Sequence, residues 1–316
     1  MNSKIAKLNA PDPDALRRRV QAHIDAGMSQ TEIARLAGTS GSTVGRWLAG
    51  KYPGDNSKVE RQLASALEAI AERESQARAL PAAPDFIATP TAERILDVLG
   101  YAHIAQDVVV VYGGAGVGKT QAIDEYARRH ANVWTVAATP AESSVVACLE
   151  NITHALGIPA PQSAAKMHRA VTRRMTGTYG LLVIDEAQNL DTKALDQVRS
   201  IHDATGCGLA LVGNEATYSQ LTGGNRAAYL DRLYSRVGQR LRLGKATHAD
   251  TDAIVDAWGI NAKACIDALR KIAATPGGLR SLTKTLRLAS MYAAGDERAV
   301  NCDDIKAAWK RLGGAA

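Results

Sequence analysis

Apolar positions in the first fifty residues recur at helical spacing. Ala15, Leu16, Val20 and Ile24 share one face, and Gly27 ends it. Ser29-Gln30-Thr31-Glu32 has the spacing of a capping box, which predicts a short helix lined by Ile33, Ala34, Leu36 and Ala37 and closed at Gly38. A third helix is expected over 40–48, with Val44, Trp47 and Leu48 facing in. A charged helical stretch over 57–78 keeps Leu63, Leu67 and Ile70 on one side. Leu80-Pro81-Ala82-Ala83-Pro84 cannot continue a helix and reads as a linker.

From Phe86 the period changes. Continuous apolar runs at 108–111, 133–136, 180–184 and 209–212 alternate with helical patterns starting at Thr91, at Gln121 and near Glu142. Runs of that kind predict an α/β fold, a parallel sheet sandwiched by helices. A further helix is expected over 229–237, with Arg232 and Arg236 four residues apart on one face. Beyond Lys245 the pattern is wholly helical, and Pro276-Gly277-Gly278-Leu279-Arg280 starts a helix. The expected organisation is a helical domain over 1–60, a linker over 61–84, an α/β core over 85–244 and a helical subdomain over 245–316.

Chemistry enters at the first apolar run. Gly113-Gly114-Ala115-Gly116-Val117-Gly118-Lys119-Thr120 follows a strand and opens a helix with Gln121, the order a phosphate-binding P-loop requires. Glycines let successive N–H groups turn inward at phosphate oxygens, and the helix adds its positive dipole end. Lys119 would reach the β- and γ-phosphates, and the Thr120 hydroxyl would ligate Mg²⁺. The 180–184 run ends in Asp185-Glu186, a Walker B pair: Asp185 for Mg²⁺, Glu186 to polarise the attacking water. Asn214 ends another strand, at the sheet edge where nucleotides bind. Arg280, in the first turn of its helix, could reach a ligand lodged between the subdomains.

The stretch 30–40 resembles the helix-turn-helix of phage repressors, which would present Ser40, Ser42, Thr43 and Arg46 to DNA. A protein-contact module is the alternative. Gly41 and Gly45 weaken that third helix and argue against strong sequence reading. Lys166, Arg169, Arg173 and Arg174 form a basic helical face, a DNA contact or a solvated surface.

The formal charge of +6 resides outside the α/β core: residues 1–84 carry 12 basic and 9 acidic side chains, 85–244 carry 15 of each, and 245–316 carry 11 and 8. A mild basic bias at both ends suits a polyanionic partner. The four cysteines, Cys148, Cys207, Cys265 and Cys302, lie far apart and form no C-x-x-C pair, so reduced thiols are expected. No apolar run is long enough for a membrane span, and the first seven residues lack the apolar segment of a signal peptide, so a cytoplasmic location is expected.

The succession of P-loop, Asp185-Glu186, Asn214, Arg236 and Arg280 resembles the AAA+ ATPases. Lys51-Tyr52-Pro53-Gly54-Asp55-Asn56, Asn132-Val133-Trp134, Thr222-Gly223-Gly224-Asn225-Arg226 and Leu233-Tyr234-Ser235-Arg236 narrow the resemblance to the target-capture ATPases of Mu-like transposons. It implies an AAA+ core with a helical lid and an amino-terminal helix-turn-helix, in a phage- or prophage-encoded protein of the bacterial cytoplasm. It further implies ATP/ADP and Mg²⁺ as ligands, and DNA-stimulated hydrolysis. Partners would be double-stranded DNA bound largely without sequence preference, the cognate transposase, and further copies in an ATP-dependent helical filament. One arginine would act across the subunit interface, Arg236 first and Arg232 in reserve. A helicase- or initiator-loading ATPase and an ATP-gated DNA-binding regulator are the alternatives.

Overall fold

Side-chain caps set the helices of the amino-terminal unit. Asp12 accepts the Asp14 amide ahead of α1 (Pro13–Asp25). Ser29 and Glu32 make the expected capping box at α2 (Gln30–Leu36), and Ser40 starts α3 (Gly41–Leu48) by accepting the Thr43 amide. Gly41 and Gly45 lie against α2: a Cβ at Gly45 would sit 3.2 Å from Gln30 Oε1. Their smallness lets the two helices approach. The computed structural model describes residues 12–79, 84–159, 161–222, 235–296 and 298–314, and divides between Ala82 and Ala83 into two units.

The spacer expected from residue 61 begins inside α4 (Asn56–Ala79). Val59, Leu63, Ala66 and Leu67 of that helix join Leu16, Val20, Ile33, Val44 and Trp47 in one buried cluster. Each large apolar side chain so buried contributes about 1.5–3 kcal/mol, so this part of α4 is core rather than linker. Trp47 Nε1 donates to the buried Glu60 Oε1 at 3.2 Å, which satisfies the indole.

In the second unit five strands run parallel in the order β2-β3-β4-β1-β5: β1 (Val108–Gly113), β2 (Val133–Ala137), β3 (Leu181–Asp185), β4 (Gly208–Gly213) and β5 (Val237–Leu243). β1, β3 and β4 are buried throughout, which explains their unbroken apolar sequences. One face packs on α7 (Val145–Ala155), α8 (Ala164–Met175) and α9 (Thr192–Thr205) through Leu149, Met167 and Val198. The other packs on α5 (Pro90–Ala105) and α6 (Lys119–Arg129) through Ile95, Leu99 and Ile123. Neither α9 nor α10 (Glu215–Thr222) was expected from the pattern.

The expected helix over 229–237 is corrected at its described end. Ser235 and Arg236 form a turn and Val237 opens β5, an edge strand burying only Val237, Leu241 and Leu243. Pairing with β1 outweighs a local pattern in which charged residues break the alternation.

Beyond the sheet, α11 (His248–Ala257), α12 (Lys263–Ala273), α13 (Gly278–Gly295) and α14 (Cys302–Arg311) close around Leu269, Leu282, Leu286 and Ile305. The fully buried Asp250 ties this bundle to the core by accepting Thr91 N and Thr91 Oγ1, each at 2.8 Å, from the start of α5. The expectation of four reduced thiols is also corrected. Cys265 and Cys302 form a disulfide between α12 and the start of α14, where packing brings their Cα atoms to 5.0 Å. Cys148 and Cys207 are free and buried, and burial pushes the Cys148 thiol up to about 12. Among the described residues no helix is long and apolar enough to cross a membrane.

Candidate nucleotide site

The buried β1 ends at Gly113, where the chain turns into a loop whose backbone favours glycine at three of its positions. Gly113, Gly116 and Gly118 have φ of 115°, 71° and 95°, in the left-handed region that favours glycine. No side chain caps α6 behind Gly118, so its first-turn amides point toward whatever anion the loop encloses. Val117 turns its side chain into the core and Ala115 is exposed, so both serve the loop through their backbones.

Lys119 Nζ donates to Gly113 O at 2.8 Å and Gly114 O at 2.7 Å. Burial lowers its pKa; Glu186 and Asp185 oppose that shift and the Arg280 guanidinium adds to it. The next residue, Thr120, donates from Oγ1 to Asp185 Oδ2 at 2.8 Å, and Gln121 is exposed beyond it.

β3 delivers Asp185 buried and Glu186 exposed. Glu186 takes a left-handed backbone, φ 53°, as the chain leaves the sheet, and its N–H donates to Asp185 Oδ1 at 2.9 Å. At the tip of the neighbouring β4, Asn214 spends its side-chain oxygen on Ala216 N at 2.8 Å, capping α10. Gln188 joins the two tips. In the sequence it stands out only as a departure from the Mu-like pattern, Gln for Asp outside the catalytic pair, and nothing there signals a partner on another strand.

The helical bundle reaches back to the loop. Leu279 N donates to Gly116 O at 2.8 Å, and a Cβ on Gly116 would overlap Gly277 O. This backbone contact seats the start of α13, and with it Arg280, over the P-loop. The donor set fits a nucleotide with Mg²⁺: inward amides and an ammonium for phosphate oxygens, a hydroxyl and a carboxylate for the metal. When bound, Mg²⁺ would offset phosphate charge.

Other expected residues lie elsewhere. Arg236 Nε donates to Asp203 Oδ1 of α9 at 2.5 Å, and Arg232 lies outside the described residues. Lys166, Arg169, Arg173 and Arg174 are exposed on α8, with Arg174 5.7 Å over the Trp134 ring. Ser40, Ser42 and Arg46 are exposed and Thr43 half-buried; the Ser40 oxygen is engaged in capping α3.

Strand order and edge chemistry together define a P-loop ATPase of the AAA class, and residues 103–221 match the family model "AAA domain". Residues 235–312 match "Mu B transposition protein, C terminal". The chain belongs to the Mu B transposition protein family: it is 40% identical over 285 residues, 89% of each chain, to "ATP-dependent target DNA activator B" of Escherichia phage Mu. It is 39% identical to "Mu-like prophage FluMu DNA transposition protein B" of Haemophilus influenzae, over 85% of this chain and 94% of that one. Among solved structures, RuvB of Thermotoga maritima is similar with a TM-score of 0.47 and 18% identity, over 72% of this chain and 70% of that chain.

Proposed function

We propose that this ATPase is the target-capture protein of a Mu-like transposition system, acting in the cytoplasm of a bacterial host. In this reading it binds double-stranded DNA largely without sequence preference and assembles on it as an ATP-dependent helical filament. It then delivers that DNA to the cognate transposase and stimulates strand transfer. The observation that carries the reading is 40% identity across 89% of both chains to a protein named for activating target DNA.

Within it, the loop amides of residues 113–118 and Lys119 hold the phosphates of ATP. Thr120 and Asp185 hold Mg²⁺, and Glu186 accepts a hydrogen bond from the attacking water and so polarises it. Asn214 and Arg280 border the γ-phosphate, and Arg236 acts on a neighbouring subunit's nucleotide. Residues 1–60 supply the helix-turn-helix, whose polar Ser42, Thr43 and Arg46 contact backbone more than base edges. The basic face of α8 grips phosphate in the core, and 245–316 forms the lid.

Strand transfer by purified cognate transposase into a second DNA tests this. The expected result is stimulation by the protein with ATP and none with ADP. DNA-stimulated ATP turnover without any stimulation of strand transfer would overturn the transposition role.

A further inference from the structure

Gln188 lies between the two acidic and polar strand tips, half-buried behind Glu186. Its Oε1 accepts from Asn214 N at 3.2 Å and from Thr217 Oγ1 at 2.9 Å, and its Nε2 donates to Glu186 Oε2. Chemistry fixes which way the amide points. The Asn214 backbone N–H can only donate, so it requires the carbonyl end, and the NH₂ end is left to meet a carboxylate that can only accept. The sequence makes room for this bridge: a Cβ at Gly213 would overlap both Gln188 Oε1 and Thr217 Oγ1.

We infer that Gln188 is a positioning residue that couples the Glu186 carboxylate to the tip of β4. The inference rests on the assignment of Glu186 as the group that polarises the attacking water. A charge-assisted hydrogen bond to the carboxylate fixes where its second oxygen points. Because the other end of the same amide is held by the Asn214 backbone, displacement of the β4 tip moves the carboxylate as well. Contact of Asn214 with a nucleotide would therefore be transmitted to Glu186 through one side chain.

The test uses the full chain with DNA, reading ATP hydrolysis against ATP concentration. Q188M keeps the volume and loses both hydrogen-bonding ends; kcat should fall about ten- to a hundredfold with KM little changed. G213A, which displaces the amide without altering it, should do the same. Q188E keeps an acceptor for Asn214 N but sets a second carboxylate against Glu186. The NH₂ donor to Glu186 is then lost while the link to Asn214 N is kept, so kcat should fall about tenfold or more with KM little changed. Loss of packing alone would not produce that fall, since Glu and Gln are nearly the same size. E186Q separates the two levels of the argument. Wild-type turnover in E186Q would remove Glu186 from the reaction and this inference with it. Turnover lost in E186Q, with kcat intact in Q188M, G213A and Q188E, would overturn the positioning role alone. ATP affinity, measured by nucleotide titration, identifies the variants that fold, and Q188E alone decides the question if Q188M and G213A do not.

Discussion

Thr120 Oγ1 donates to Asp185 Oδ2 at 2.8 Å, which ties the first turn of α6 to the end of β3. Two oxygens of the kind a hard cation takes are therefore already side by side. Thr120→Ala and Asp185→Asn should each raise the Mg²⁺ concentration for half-maximal hydrolysis by about tenfold or more. A Mg²⁺ titration reads this directly, and an unmoved midpoint in both would place the metal elsewhere.

Arg236 is held by Asp203, which Arg199 also pairs. If it acts on a neighbour's nucleotide, it should be dispensable for ATP binding and needed for turnover. Arg236→Ala should bind ATP normally and lose roughly 10³-fold in hydrolysis. Mixing it with Lys119→Ala should restore part of the activity, since some interfaces then pair an intact loop with an intact arginine. Absence of recovery in co-sedimenting assemblies would assign Arg236 to its own subunit.

Lys166 and Arg173 are exposed on α8, two turns apart. If both neutralise DNA phosphates, the double alanine variant should flatten the plot of log affinity against log salt by about 2, since each contact releases counterions. An unchanged slope would make this face solvent-facing only. Arg174 is a poorer probe, because it also covers Trp134.

Asp250 accepts hydrogen bonds from Thr91 and from Thr247, whose N–H lies 2.9 Å from Oδ2. Burial by itself would raise its pKa, but hydrogen bonds from Thr247 and Thr91 outweigh it and hold the carboxyl below its usual value. A depressed folded pKa gives stability that is full above the unfolded value, about 3.9, and lost as pH falls through the folded one. Wild-type melting temperature should therefore drop below about pH 4. Asp250→Asn should melt lower at neutral pH and respond less to acid. Asp250→Ala, which leaves the buried Thr91 amide without its acceptor, should cost about 1–3 kcal/mol.

The Cys265–Cys302 bridge closes a loop of sequence separation 37. Loop-closure entropy assigns it about 4 kcal/mol in the helical bundle. Melting with dithiothreitol should fall to that of Cys265→Ser, which reductant should leave unaffected. Equal melting with and without reductant would show that the bridge contributes nothing.

The P-loop and Asp185-Glu186 were legible because glycines and apolar runs act locally, on residues next to them in the chain. The strands buried on both faces announced themselves in the same way. β5 did not: an edge strand pairs on one side only, and Arg240 and Arg242 interrupt its apolar positions. Gln188, Asp250 and the cysteine pair were also hidden. Each draws its significance from a partner on another element, and spacing along the chain carries no record of that adjacency.

The contact between Gly116 and Gly277 has an evolutionary reading. A Gly116 side chain would begin where Gly277 O lies, whereas one at Gly277 would meet Ser281 Oγ of its own helix, so the Gly116 codon cannot drift to a larger residue while the bundle keeps its seat. The P-loop must then be inherited together with the bundle it touches. A chimera joining the loop of one relative to the bundle of another would succeed only where the residue at the Gly116 position remains glycine.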